Sequence, residues 1–455
     1  MDELTSFTVV TGDAHAEVAH TLVEPVPQAL GVIDQFGLWG NLGVSLLGFT
    51  GAIFVLEPTG TAAGALPVAG AFLSIVLGTV LGSLAIAACG VSGARTGAPA
   101  MVLLRRLLGA RLSYVPTVLN VVQLLGWGIF ELVTIATAAH VVAPDVPRWL
   151  YILLAGLLTG LLTLRPLGAI RILRRVATPA VVLVLVYLSV EMLRHPLPAL
   201  THGSWSGFWV ATDTVVGAAV SFAPLAADYT RHSRSERASF WGALVGYGIT
   251  QTLCYAIGLV ALVTVARTPS DIYGAFVAVP LGAVGFAILA TRELDQSFAD
   301  VYSSVVSIQN ARPLWDRRVL AGAVSLVITV LALAINISDY ENFLILLGSI
   351  FVPLTAVFLI DFFVLARRRD ENHATGRRPA MVVAWALGFV AYQLINPGYI
   401  GWWVSLWTRV DGWIHLSDQA SMSASLISFA VSVVAALALG RLEDRTRRRR
   451  ASTRG

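Results

Sequence analysis

Charge is scarce in this chain. Of its 455 residues only 13% are charged and 56% are hydrophobic, whereas soluble domains carry about 25% charged residues. With a mean hydropathy of +0.75, a soluble multidomain enzyme is excluded. Cysteine is nearly missing, and Cys89 and Cys254 both sit in apolar stretches. That spacing makes neither a disulfide framework nor a metal site, so two small buried thiols are expected. No HExxH, CxxC or paired-histidine set lies in the apolar stretches, which argues against an enzyme and against a bound cofactor. Nothing resembles a selectivity filter, which argues against a channel. Lysine is absent altogether, so all 31 basic residues are arginine.

What is abundant is continuous apolar sequence rich in Leu, Val, Ala and Gly, in stretches long enough to cross a bilayer, roughly 17 to 25 residues each. Period-2 alternation is missing, so helices rather than barrel strands are expected, and the fold class is an all-α membrane protein. The reading gives twelve transmembrane helices, over 36–56, 66–90, 114–140, 149–164, 176–193, 207–226, 240–265, 276–303, 319–337, 342–366, 380–396 and 421–440. The polar segment 1–35 has no basic residue and no h-region, so it is expected to be neither signal nor transit peptide. Residues 36–440 are expected to form the twelve-helix membrane domain, and 441–455 a basic tail; both terminal segments are expected to be mobile.

The arginines orient the chain. Clusters follow spans 2, 4, 6, 8 and 10 (Arg95, Arg105, Arg106, Arg111; Arg165, Arg171, Arg174, Arg175; Arg231, Arg234, Arg237; Arg312, Arg317, Arg318; Arg367, Arg368, Arg369, Arg377, Arg378), and the tail from Arg441 to Arg454 joins them on one side. The other side holds Arg148, Arg194, Arg267 and Arg409, with Arg292 inside span 8. By the positive-inside rule both termini are cytoplasmic in a multi-pass protein of the bacterial inner membrane. The basic pI of about 9.3 then reflects topology and anionic membrane lipid, not nucleic acid.

Ionisable groups in a span cost about 2.5 to 3.5 kcal/mol each on insertion scales, so their positions mark the working part. Span 3 carries Gln123, Trp127 and Glu131 four apart, on one helix face. Span 8 carries Arg292, Glu293, Asp295, Gln296, Ser297, Asp300 and Tyr302 within eleven residues. It reads as an intramembrane polar segment rather than a loop, with Arg292 spaced to pair with Asp295 or to bridge to Glu131. Gly48-Phe49-Thr50-Gly51 in span 1, followed by Glu57-Pro58-Thr59-Gly60 at its outer end, and Ser221-Phe222-Ala223-Pro224 in span 6 read as interrupted helices. The interrupted pair and the polar pair are each five spans apart. That is the pattern of two inverted five-helix repeats, over about 36–193 and 207–366, with two extra helices over 380–440.

At these residues the sequence resembles the nucleobase:cation symporter family, the purine/cytosine permeases with their hydantoin, allantoin and hydroxymethylpyrimidine relatives. The resemblance rests on Leu47-Gly48-Phe49-Thr50, Gly93-Ala94-Arg95-Thr96-Gly97, Gln123 to Gly126-Trp127, Ala227-Asp228-Tyr229-Thr230-Arg231 and Asp300-Val301-Tyr302-Ser303. It implies a leucine-transporter-like fold and symport of a nitrogen heterocycle with Na⁺ or H⁺ by alternating access, in a monomer. It further implies that Trp127 stacks on the ring, that Glu131, Gln123 and Ser221 read its edge, and that Phe222 packs beside it. Ser297 stands where cytosine permeases have an asparagine. A coupling Na⁺ would fall near Gly48, Ala52, Asp295 and Gln296, although Asp295 and Gln296 replace the family's Ser/Thr pair. An amino-acid or amine carrier on the same architecture is the competing reading.

Overall fold

The computed structural model describes residues 9–11, 24, 26–58, 64–109, 111–165, 178–266, 269–334, 340–365, 378–414 and 421–452. Most of residues 1–35, Thr59, Gly60, Arg171, Arg174, Arg175, Arg267, Arg367, Arg368, Arg369, Arg377 and Arg454 lie outside these. Apart from two short parallel strands, β1 (Val9–Thr11) and β2 (Val26–Gln28), the regular structure described is helical. Seven helices are long and apolar enough to cross a membrane, or eight when one bent pair counts as a single span. Each of the twelve expected segments contains helix, and three of those helices are shorter apolar ones.

The bent pair is α1 (Val32–Gly43) and α2 (Leu46–Leu56), which meet at 57°. The break falls at Val44-Ser45 and not at the expected Gly48-Phe49-Thr50-Gly51. Ser45 explains the position, because its hydroxyl accepts from Leu47 N and caps α2, satisfying a donor that a new helix start leaves open. Gly48 and Gly51 serve instead as flat surfaces for Cys254 and Tyr255.

Beyond α3 (Val68–Thr96) and a short amphipathic helix α4 (Ala100–Leu108), α5 (Tyr114–Val142) and α6 (Arg148–Leu164) follow, then α7 (Thr178–Leu193). The sixth span is broken as expected. Helix α8 (Phe208–Val220) ends before Ser221, a single 3₁₀ turn covers Ala223–Leu225, and α9 (Ala226–Thr230) completes the crossing. Pro224 has no N–H and cannot continue the α-helical ladder.

After α10 (Glu236–Thr264) and the short α11 (Pro269–Ala278), the eighth span divides at Glu293 into α12 (Gly282–Arg292) and α13 (Leu294–Ala311). Its charged residues are buried, as a cavity-facing segment requires and a loop in water would not show. The chain continues through α14 (Arg317–Ala334), α15 (Tyr340–Ile360), α16 (Pro379–Ile395), the tryptophan-rich surface helix α17 (Gly401–Ile414) and α18 (Ala424–Ser452). Helix α18 runs well into the basic tail that was expected to be mobile, and in the amino-terminal segment Val26, Ala29, Leu30 and Gln35 are buried.

Two groups of helices result. In one, α1 and α2 pack on α10 while α8 and α9 pack on α3, and α3 also contacts α10. In the other, α5 packs on α13, and α6 and α14 pack on both of them and on each other. The packing of α1 and α2 on α10 is matched by that of α8 and α9 on α3. Close approach depends on glycine, the small residue that lets membrane helices touch main chain to main chain. A Cβ on Gly246 would lie 2.6 Å from Phe36 O, and one on Gly258 would lie 2.1 Å from Phe49 O. Helix α18 is anchored differently: buried Asp213 on α8 accepts from Ser423 Oγ, Ala424 N and Ser425 N at its start.

Two outcomes are expected in thermal unfolding of the purified protein. Gly258→Ala forces backbone apart and lowers stability by about 1 to 3 kcal/mol, whereas Gly322→Ala, with nothing within 4 Å, leaves the midpoint in place. Asp213→Ala strips three donors of their acceptor and costs about 1 to 3 kcal/mol, with Asp213→Asn intermediate because an amide oxygen still accepts.

Candidate functional site

Both helix breaks leave main-chain groups that lipid cannot satisfy, and side chains of the second helix group reach across to them. From α13, Gln296 Nε2 donates to Leu42 O at 2.5 Å and to Val44 O at 3.0 Å, the carbonyls at the end of α1. Glu293 takes the donor side, its Oε1 accepting from Leu46 N at 3.0 Å and from Ser45 Oγ at 3.1 Å. From α5, Gln123 Nε2 donates to Ser221 O at the break in the sixth span, at 3.1 Å. Each of the two amides thus sits on a carbonyl at a broken helix of the facing group.

Next to these clasps lies a small cavity lined by Trp127, Glu131, Phe222, Tyr247, Gln296 and Asp300, among others. Trp127 is held edge-on by Phe343, with ring centroids 5.3 Å apart. Phe222 packs against Tyr247 at 5.4 Å, so each aromatic wall is backed by a second ring. Glu131 brings a carboxyl to this space, and its Oε2 has no partner among the described residues.

Of the residues singled out in the sequence, Trp127, Glu131, Phe222, Gly48 and Gln296 are therefore on the cavity wall. Gln123 and Ser221 are not on it. They are bonded to each other and inward, Ser221 Oγ donating to Ala218 O and Gln123 also to Asn120. Ser297 is buried on α13 away from the wall, and Ala52 is buried in α2 beside Tyr255. The carbonyls at the break belong to Leu42 and Val44 rather than to Gly48 and Ala52, because the break comes earlier than expected.

Arg292 pairs with its neighbour Glu293, Nη1 to Oε2 at 3.1 Å, and not with Asp295 or directly with Glu131. Glu293 in turn abuts the Glu131 carboxyl. Both members of the Arg292–Glu293 pair are almost wholly buried, and Asp295 and Asp300 are buried on the same helix. A buried pair of this kind rarely repays its desolvation in stability, so its presence points to function.

The wall contributed by α10 was missed in the sequence. Tyr247, Gln251, Cys254 and Tyr255 all line the cavity. Their spacing of four, three and one repeats on one helix face, and that stripe, with an amide in it, was a usable signal. Ser45 was missed, and Glu293 was read only as part of the polar segment of span 8, since the role of both depends on where the first span breaks.

The two signature stretches outside the cavity meet each other. Thr230 Oγ1 donates to Gly90 O, Asp228 Oδ1 accepts from Ala100 N, and a Cβ on Gly93 would meet Ala227. Arg95 binds Glu236 with two parallel bonds, and Gly97 closes α3 with φ of 68°, a conformation suited to glycine. These residues fasten one end of the helix group and do not line the cavity.

The chain's residues 49–382 match the family model described as permease for cytosine/purines, uracil, thiamine, allantoin. It is 25% identical over 339 residues to the cytosine permeases of Escherichia coli K12 and O157:H7, covering 72% of this chain and 79% of theirs. Among solved structures it is similar to Mhp1, a nucleobase-cation-symport-1 family transporter, in a closed conformation with bromovinylhydantoin bound. That likeness has a TM-score of 0.70 at 17% identity over 92% of this chain and 94% of the other. The inward-facing Mhp1 structure gives 0.69 at 14% identity, covering 96% and 95%. An Eremococcus coleocola manganese transporter shares the fold at a TM-score of 0.57, with 14% identity and 95% and 99% coverage. With its leucine-transporter-like fold, this multi-pass membrane transporter belongs to the family of permeases for cytosine/purines, uracil, thiamine and allantoin.

Proposed function

We propose that the chain imports a nucleobase-like nitrogen heterocycle, of purine, cytosine or hydroxymethylpyrimidine type, across the bacterial cytoplasmic membrane. It does so by alternating access in symport with a cation, Na⁺ or H⁺. In this reading the polypeptide crosses the membrane twelve times as a monomer, with both termini cytoplasmic and the extra helices outside the repeats. The observation that carries the reading is the cavity beside the two breaks, walled by aromatic rings and edged by carboxyl groups.

A planar heterocycle offers π-faces to Trp127, Phe222 and Tyr247 and in-plane donors to Glu131 and Asp300. An ionised carboxylate accepts but does not donate, so rings presenting amino or N–H groups are favoured. That the relatives in Escherichia coli are cytosine permeases, and that Mhp1 binds a hydantoin derivative, agrees with a ring of this class. The same carboxyls would suit an amine, but the aromatic walls favour a flat ring. Positioning of the ring falls to Gln296 and Gln251 on the wall. Gln123, Ser221 and Ser297 act behind it, by holding the broken sixth span and the α13 face.

Thermal-shift screening against purines, pyrimidines, hydroxymethylpyrimidine, hydantoins, allantoin, amines and amino acids tests the reading, because a ligand of the folded state raises its stability. Stabilisation by a nitrogen heterocycle is expected, and stabilisation by amines or amino acids alone would overturn it. Trp127→Ala should weaken the heterocycle about ten- to hundredfold, the worth of one base stacked on an aromatic ring at roughly 1 to 3 kcal/mol. The variant should remain folded by circular dichroism; unchanged affinity would remove Trp127 from the site. Glu131→Gln adds a donor where an acceptor stood, and it should reorder preference among ring substrates rather than weaken all alike, as read from competition binding.

A further inference from the structure

Sodium is the ion that a leucine-transporter-like fold of this family brings to mind, held between main-chain carbonyls of the broken first span and oxygen-bearing side chains of the eighth. In this chain the carbonyls freed at the break, Leu42 O and Val44 O, already accept from Gln296 Nε2, at 2.5 Å and 3.0 Å. A Na⁺ coordinated by the same two oxygens would have to occupy the space of that nitrogen, and the amide hydrogens would face it with like partial charge. Turning the amide over would aim Oε1 at two carbonyl oxygens, which is repulsive unless a cation stands between them. The opposite pole of the break is also satisfied, since Leu46 N and Ser45 Oγ donate to Glu293.

The other half of the molecule gives a second, independent observation. There the break in the sixth span is held in the same manner, Gln123 Nε2 donating to Ser221 O at 3.1 Å. An amide from the facing group thus clasps each break. In both halves the donor is a neutral nitrogen covalently attached to the chain, which, unlike an ion, cannot dissociate from it.

We propose that the side-chain amide of Gln296 takes the place of a coupling Na⁺ at the break in the first span, so that neither the folded state nor ligand binding responds to Na⁺. This narrows the coupling ion left open under the proposed function, and it rests on that reading only where a ligand is involved.

The test begins without any ligand. Thermal unfolding of the purified wild-type protein is compared in sodium chloride and in choline chloride at equal ionic strength, since an ion bound only by the folded state must raise the midpoint. Coincident midpoints are expected, and a saturable, Na⁺-specific rise overturns the proposal. Gln296→Glu replaces the donor with a carboxylate facing two carbonyls, a cluster that a cation relieves, so in this variant Na⁺ is expected to raise the midpoint above that in choline. A variant as indifferent as wild type would show that the side chain at this position does not govern the break. The wild-type comparison stands alone should the variant fail to fold. With a heterocycle bound, wild-type affinity is expected to agree within about twofold between the two salts, whereas tightening by Na⁺ of about tenfold or more overturns the proposal. Failure of every heterocycle to bind would count against the substrate reading and leave the ligand-free result intact.

Discussion

A helix that breaks inside a bilayer exposes carbonyls and N–H groups that only protein can satisfy, and the arrangement of this molecule follows from meeting that demand twice. Each broken span needs a partner that brings hydrogen-bonding side chains to membrane depth. The eighth span brings Gln296 and Glu293 to the first break, and α5 brings Gln123 to the sixth-span break. The partners must therefore be polar where neighbouring spans are apolar, and they must be held at fixed distance. Glycine contacts such as Gly246 on Phe36 and Gly258 on Phe49 set that distance within the first helix group, and the cavity is the space left over between the groups.

Much of the fold was legible because membrane helices announce themselves by length and hydropathy, and because the repeat shows in the spacing of unusual residues. The break at Ser221-Phe222-Ala223-Pro224 was legible through proline, whose effect on a helix is local. The break in the first span was not. Gly48 and Gly51 looked like helix breakers, yet glycine at a helix contact and glycine at a break read the same in one dimension. What places the break at Val44-Ser45 is a cap from Ser45 and two clasps from residues some 250 positions away, and no local pattern encodes those.

The candidate site divides along the same line. Trp127, Glu131 and Phe222 were legible because a polar or aromatic residue at mid-span has few other reasons to be there. Gln123 and Ser221 carried the same signal for a different reason, since they satisfy backbone rather than line the cavity. Both roles put a polar side chain in a membrane helix, and only the three-dimensional arrangement separates them. The α10 wall was hidden because Tyr, Gln and Cys spaced around a long apolar helix look like ordinary packing.

The amino-terminal strand has a mechanical meaning of its own. Gln28 bonds Ala94 at the end of α3, Leu30 exchanges main-chain bonds with His232 and Arg234, and His232 reaches both Pro27 O and the Tyr302 hydroxyl on α13. A few residues thus join the end of α3, the turn between α9 and α10, and α13 at the end that carries Arg95, Arg231 and Arg234. The strand therefore braces the cytoplasm-assigned arginine end of the first helix group from a segment that precedes the first span, and of these bonds the one that crosses to the second group is made by His232, not by the strand itself.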